Sequence, residues 1–339
     1  MRVLQERNWL RKVLVIGPTA LLSITSSMQA HDYWCLNRVV SVFGEYNYLR
    51  RSEIRNLRLV EDTQGFDPLK EEEKGSELID TKGLVGRMGW ESGIRGGVSF
   101  HWSDCASLEA QYLYVYPWKG TKDVSRDGTL RFPFEDPEFA FDYIDADHVD
   151  ASYKSRLQGG ELNYWCHITP QRVNYFSGSW LIGFRYFNLR EHFRMAFTKR
   201  GRTSDYKIRT KNHLYGAQLG GVLEMNPTEC WTWLFQIKGA GFFNDADNNV
   251  FLGDFGNRIV LRDYSKKKWT DSWLIEGYGE LAYHLTSFAD LYVGYSAFLL
   301  SGLVLAPEQR DLSSSDRRFL RKRGQIVIDG ARAGLTLSF

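Results

Sequence analysis

Period-two alternation, repeated in segment after segment, most constrains what this 339-residue chain can fold into. In 288–300, Leu291, Val293, Tyr295, Ala297 and Leu299 share one face, and Asp290, Tyr292, Gly294 and Ser296 share the other. In 273–285, Trp273, Ile275, Leu281, Tyr283 and Leu285 alternate with Glu276, Tyr278, Glu280 and His284. In 231–243, Trp231, Trp233, Phe235 and Ile237 alternate with Gln236 and Lys238; in 174–188, Trp180, Ile182, Phe184 and Tyr186 alternate with Gly183 and Arg185. Successive strand side chains point to opposite faces, so each segment reads as a strand with one apolar and one polar or small face. The 21 Phe, 18 Tyr and 11 Trp against 8 Pro suit pleated surfaces. After the first thirty residues no apolar run reaches the roughly 18 residues a membrane helix needs, which excludes a helical membrane protein. A net charge of +2 and the lack of any Lys/Arg-rich stretch argue against nucleic-acid binding.

Residues 1–30 have the plan of a secretory signal peptide. Arg2, Arg7, Arg11 and Lys12 stand against one acid, Glu6; an apolar stretch runs from Val13 to Thr25, and Ala30 ends the segment. The competing reading, a membrane anchor, needs a longer run than one broken by Gly17 and Pro18. Cleavage after Ala30 would remove a net +3 from +2, leaving −1 on a mature domain of 31–339. Bulk charge then holds no partner.

Ten strands are expected, near 38–50, 91–103, 106–117, 151–168, 173–198, 206–224, 229–244, 270–286, 288–302 and 328–339. Short turns near Asp104, Pro170, Pro227 and Ser287 alternate with long polar loops at 51–90, 119–149, 199–205, 245–269 and 303–326. An even strand number, short turns on one rim and long loops on the other describe a transmembrane antiparallel β-barrel. Segments 53–60 and 78–88 could add a hairpin and make twelve strands. A secreted sandwich or lipocalin-like barrel has the same alternation. The Trp and Tyr on the apolar faces and the regular loop asymmetry favour the membrane, namely the outer membrane of a diderm bacterium. The last residues, Ala331 to Phe339, alternate and close on an aromatic, resembling the terminal strand that barrel-insertion machinery reads. The expected partners are therefore outer-membrane lipid and that machinery.

Several stretches resemble the beta-barrel porin-7 family of outer-membrane proteins across about 40–311. Gly44-Glu45-Tyr46-Asn47-Tyr48-Leu49 is similar to its first strand, and Arg131-Phe132-Pro133-Phe134-Glu135 to its Arg-Pro-Phe loop. Gly160-Glu161-Leu162-Asn163 and Leu181-Ile182-Gly183-Phe184-Arg185-Tyr186 resemble its central strands. Lys211 to Gly220 resembles its Asn-x-x-Tyr-Gly-x-Gln strand, and Gly294-Tyr295 with Pro307-Glu308-Gln309-Arg310-Asp311 its Gly-Tyr strand and Pro-x-x-Gln segment. The proline segment lacks the family's glycine and basic neighbour. The resemblance implies a porin that passes small solutes passively.

Opposite the lipid-facing sets lie Glu45, Arg95, Glu109, Glu161, Arg185, Lys238, Glu276, Glu280 and Arg332, five acids and four bases assigned to the lumen. They either line a narrow water-filled pore or pair into a network that fills it. Barrels of about eight strands are filled by side chains, and ten lies near that end. The plugged alternative leaves the protein a structural or loop-mediated binding role.

No catalytic, cofactor or metal site is expected. His101, His213 and His284 stand without a nucleophile motif. Asp142, Asp145, Asp147 and Asp150 with His148 match no calcium-loop spacing and read as a solvated acidic loop. Gly93, Gly96 and Gly97 suit a crowded strand, since no helix follows them to cradle phosphate. Cys35, Cys105, Cys166 and Cys230 all map near short turns or the chain's entry to the barrel. At least one disulfide at that rim, internal or to another envelope protein, stands beside the alternative of free thiols packed in turns.

Overall fold

The computed structural model describes residues 39–53, 55–64, 76–103, 105–168, 175–314 and 320–339; the proposed leader 1–30 and Cys35 lie outside them. In chain order the strands are β1 (Val40–Glu53), β2 (Arg58–Asp62), β3 (Ser76–Asp80), β4 (Trp90–Ser103), β5 (Ala106–Val115), β6 (Trp118–Arg131) and β7 (Ala146–His167). They continue as β8 (Phe176–Lys199), β9 (Arg202–Thr228), β10 (Trp231–Asp254), β11 (Ile259–Thr286), β12 (Ala289–Leu303) and β13 (Gly324–Ser338). One short helix, α1 (Thr81–Gly86), follows β3.

Ten strands form a closed antiparallel ring, in the order β1, β4, β5, β7, β8, β9, β10, β11, β12, β13 and back to β1. The first and last strands close it, with pairs from Ser41 and Ser338 to Glu53 and Ile326. Phe339 N–H donates to the Val40 carbonyl at 2.8 Å, and Val39 N–H to the Phe339 carbonyl at 2.7 Å. Closure leaves no edge, which a lipid environment requires because hydrocarbon cannot satisfy bare backbone groups. Gly97 serves this wall where it is crowded: a Cβ there would lie 2.5 Å from Phe43 Cε1 and 2.7 Å from the Ala110 carbonyl.

The outward side chains of the ring's short-turn half form an apolar belt. Ile237 is 64% exposed and Val293 57%, with Ile182, Phe184, Leu219 and Phe235 beside them. Aromatics bound the belt below, including Trp102, Trp180, Trp231 and Phe288, and above, including Tyr48, Trp90, Tyr116 and Tyr215. Two such girdles flanking an apolar band are the outer surface of a membrane barrel.

Strand length divides the ring. A tilted strand crosses a bilayer in about 9–11 residues. β5 has 10 residues, but β9 has 27 and β11 has 28. β7 to β11 therefore continue well past the upper girdle. There the alternation keeps its parity and reverses its chemistry. On β8, outward Trp180, Ile182 and Phe184 are followed by outward Arg190, His192 and Arg194, while the inward side goes from Arg185 to buried Leu189, Phe193 and Phe197.

This reversal corrects the long-loop assignments. Segment 245–269 is mostly the upper ends of β10 and β11 joined by a short turn, and 199–205 holds the tight turn from β8 to β9. Within 119–149, β6 continues the direction of β5 and pairs with the upper half of β7. β2 and β3 form the hairpin expected from 53–60 and 78–88, but it branches from β6 and does not join the closed order of the ring, and α1 follows it, so the ring has ten strands and not twelve. Trp118 Nε1 donates to the Leu49 carbonyl at 3.1 Å, tying β6 to β1. Residues 303–313 of the segment 303–326 are not a solvated loop. Leu303 through Asp311 are buried, and the chain enters this course through Gly302 at φ 83°, where a Cβ would meet the Asp271 carbonyl at 2.4 Å.

Candidate functional site: the lumen

All nine residues assigned to the lumen face the interior, and they form one connected set. The Arg185 guanidinium reaches Glu276 at 2.5 Å and Glu161 at 3.1 Å, and Lys238 Nζ reaches Glu161 at 3.0 Å. Arg95 lies 3.6 Å from Glu45 and 3.9 Å from Glu276. Arg332 binds Glu280 and lies 3.5 Å from Glu45. Glu109 joins through Asn163, whose Nδ2 donates to it at 3.0 Å and to Glu161 at 3.2 Å. The register explains the convergence. Glu45 is opposite Arg95, Glu161 opposite Arg185, and Lys238 opposite Glu276, so three neighbouring strand pairs each place an acid against a base on the inward face.

Uncharged groups fill the remaining space. Gln218 Nε2 donates to Glu161 at 2.9 Å and Arg185 donates to Gln218 Oε1 at 3.3 Å. Tyr292 donates to Glu45 at 3.3 Å, and the Arg332 guanidinium lies 3.8 Å from the Tyr278 ring centre. Arg185 and Glu276 are each 1% exposed. Ions held this way are tolerated in a membrane interior because each has an opposite charge and hydrogen-bond partners.

Above this layer the interior becomes a hydrophobic core. Leu49, Trp118, Leu157, Phe187, Phe193, Leu214, Phe242, Leu300 and Ile328 belong to one cluster with Leu84 of α1 and Phe132, Phe134 and Tyr143 of the 132–143 stretch. The buried 303–313 course plugs it. Asn212 holds Val304 at both backbone groups, accepting from its N–H at 2.8 Å and donating to its carbonyl at 2.9 Å. Glu191 accepts from the Ala306 N–H at 2.8 Å, and Tyr206 Oη from the Asp311 N–H at 3.0 Å. Arg262 donates to the carbonyls of Asp311, at 2.9 Å, and Ser313. A buried pair also crosses the core: Arg51 meets Glu191 at 2.7 Å, and Tyr153 Oη donates to the same carboxylate at 2.8 Å. Arg51, Glu191 and Arg262 are not among the residues that alternation assigned to the lumen, and Asn212 stands out in the sequence only as the first residue of the Asn-x-x-Tyr-Gly-x-Gln stretch. For Arg51 a signal was present, since it continues the inward series Glu45, Asn47, Leu49.

The other singled-out residues are dispersed. His101 and His284 face the lower lumen and His213 faces outward beside Tyr186, 2.9 Å from its hydroxyl. His284 links Thr232 at 2.9 Å to Asp290 at 2.7 Å, the connectivity of a hydroxyl–imidazole–carboxylate relay, but Thr232 donates its proton to Asn226 Oδ1 at 2.6 Å. The acidic stretch is not uniformly solvated. Asp142 is fully buried and accepts from Ser204 Oγ at 2.6 Å and the Gly256 N–H at 2.9 Å, while Asp147 caps the Arg200 N–H at 2.7 Å. Cys105, Cys166 and Cys230 sit at or next to short turns and are free thiols, so no disulfide forms among the described cysteines. Phe339 ends the closing pair with its side chain 63% exposed.

No protein-family model matches the chain, and no curated protein matches its sequence. Among solved structures, the outer membrane protease OmpT from Escherichia coli superposes with a TM-score of 0.50 at 11% identity, covering 92% of this chain and 100% of that one. The translocator domain of the autotransporter NalP from Neisseria meningitidis gives 0.39 at 9% identity, over 89% and 88% of the two chains. The Pseudomonas putida toluene transporter TodX gives 0.35 at 12% identity, over 95% and 93%. At identities of 9–12% the likeness is one of fold alone. The ring shares the fold of an outer-membrane β-barrel, and its apolar belt between two aromatic girdles seats the chain in that membrane.

Proposed function

We propose that this outer-membrane barrel is closed to solutes and that its function lies on the superstructure above the membrane. One observation carries the reading. The charged layer joining Arg95, Glu161, Arg185, Lys238 and Glu276 spans the lumen and is roofed by a hydrophobic core, so two different fillings lie in series along the axis. A conducting lumen needs a hydrated path with ions held weakly enough to leave. Here the lumen charges are spent on each other. The reading is non-enzymatic: the Thr232 hydroxyl donates away from His284, which argues against a nucleophile. Passive passage, implied by the resemblance to the porin-7 family, is the competing reading.

Single-channel recording of the refolded protein in a planar bilayer decides between them. The closed reading expects negligible conductance, and expects Glu276→Gln with Glu280→Gln to lower unfolding stability by about 3–5 kcal/mol, because Arg185 and Arg332 lose partners in a buried site. Stepwise conductance whose cation preference falls in that variant would establish the pore instead.

A further inference from the structure

The outward surface above the upper girdle is unevenly charged. Register aligns Arg156 of β7 with Arg190 of β8, and Arg190 with Lys211 of β9. The next row upward aligns Lys119 of β6, Lys154, His192 and Arg209. Their inward neighbours, including Tyr153, Leu157, Phe193 and Ile208, are buried in the core, so these side chains point away from it. Like charges directly opposite one another weaken a sheet. Two consecutive rows of basic side chains, the second with the imidazole of His192 between Lys154 and Arg209, cover three or four adjacent strands.

The surroundings do not neutralise them. A third row, Arg194 and Lys207, is answered by Asp205 at 2.7 and 2.9 Å. Among the described residues no carboxylate lies within 4 Å of Lys119, Lys154, Arg156, Arg190, Arg209 or Lys211. Around the wall, on β10 and β11, the outward cation Lys267 is paired with Asp245 at 2.7 Å. The excess is therefore local to β6–β9.

We propose that this patch binds the phosphate groups of an anionic lipid in the outer leaflet, a phosphorylated glycolipid such as lipid A. Planar guanidinium groups pair with phosphate oxygens in twos, and basic residues at an anionic membrane surface are drawn to it. The position selects a lipid over a soluble anion. Arg156 lies over the Tyr114 ring at 4.9 Å, so the patch begins at the girdle itself. Directly below it on the same outward columns run Tyr186, Phe184 and Ile182 of β8 and Tyr215 and Leu219 of β9. An amphiphile with phosphates on the cations would lay its acyl chains along these residues. The inference does not depend on whether the lumen conducts.

Native mass spectrometry of the refolded full chain in detergent tests it, with bisphosphorylated lipid A, dephosphorylated lipid A, phosphatidylcholine and inorganic phosphate as probes. The expected result is selective retention of bisphosphorylated lipid A, unaffected by equimolar inorganic phosphate. The variant R156Q/R190Q/R209Q is expected to lose retention about hundredfold, from three basic contacts at an anionic surface. K267Q, on the neighbouring wall, is expected to retain the lipid. Equal retention of the dephosphorylated form would overturn phosphate recognition. Displacement by inorganic phosphate would replace the lipid by a soluble anion, and undiminished retention by the triple variant would overturn the location. Heat-dependent gel mobility reports whether the variants fold; if the triple variant does not, the comparison of the two lipid A forms on the unaltered chain decides alone.

Discussion

The same strands build two opposite interiors. At membrane level β10 puts Trp233, Phe235 and Ile237 outside and Gln236 and Lys238 inside; above the girdle it puts Asp245, Asp247 and Asn249 outside and Ala246, Val250 and Leu252 inside. Parity is unbroken, so the backbone does not register the change. What changes is the medium on the outer face. Against lipid the apolar side chains belong outside and the lumen takes polar groups that pair with each other; against water the ordinary burial rule returns. The comparison shows why one ring needs two fillings. The lower lumen is held by charges in register, and the upper by aromatic and aliphatic packing around an inserted chain segment.

Three experiments break or sharpen this contrast, beginning with the largest expected effect. The Arg51–Glu191 pair is an ionic contact inside the apolar half, with both side chains at 0% exposure. Arg51→Met should lower stability by about 3–5 kcal/mol in urea unfolding of the refolded protein, since it strands a buried carboxylate. Adding Glu191→Gln should recover part of the loss, because it removes the charge and keeps an acceptor for the Ala306 N–H. A single variant as stable as the parent would mean that the upper half is not a dry core.

A second experiment uses one outward surface at two heights. Phe235→Arg faces lipid and should cost about 2–4 kcal/mol if near the midplane. Ser265→Arg, outward and exposed above the girdle, should stay within about 0.5 kcal/mol as surface changes do. Equal costs in lipid-reconstituted unfolding would remove the proposed boundary between media.

The smallest effect is a pH dependence confined to the upper core. Burial pushes the Tyr206 phenol up to about 12 from its ordinary value of 10.0. The folded state then keeps a proton that the unfolded chain releases first. Its stabilising contribution is complete below pH 10 and is lost as pH rises towards 12, at about 2–3 kcal/mol in full. Tyr206→Phe should flatten that part of the stability profile, and an unchanged slope would show that the phenol titrates as if solvated.

Much of the ring was readable from local pattern. Trp231, Trp233, Phe235 and Ile237 on one parity with Gln236 and Lys238 on the other identify a lipid-facing strand wherever its neighbours lie, because alternation is a property of a single strand. The inward face of Glu45, Arg185 and Glu276 follows from the same parity. Above the upper girdle the expected strands 173–198 and 206–224 still cover β8 and β9, and the signal fails on the other strands. Lys207, Arg209 and Lys211 alternate with Ile208, Thr210 and Asn212, yet a pattern sought as apolar-out reads the upper ends of β10, β11 and β6 as polar loop. Segment 303–313 is harder still. Glu308, Arg310 and Asp311 have the composition of a solvated loop, and their burial depends on Arg262, Asn212 and Tyr206 from strands far away in sequence.

The sequence by itself determined the strand periodicity, the number of lipid-facing segments and which side chains share the lumen, since all three are set by alternation along each strand and by the turns between strands. Only the tertiary structure decided which acid meets which base, which segments fill the interior, and that cations from four strands gather on one outer wall. Those depend on register between strands, and register comes from the closing of the whole ring, where a shift of one residue would turn every inward side chain out.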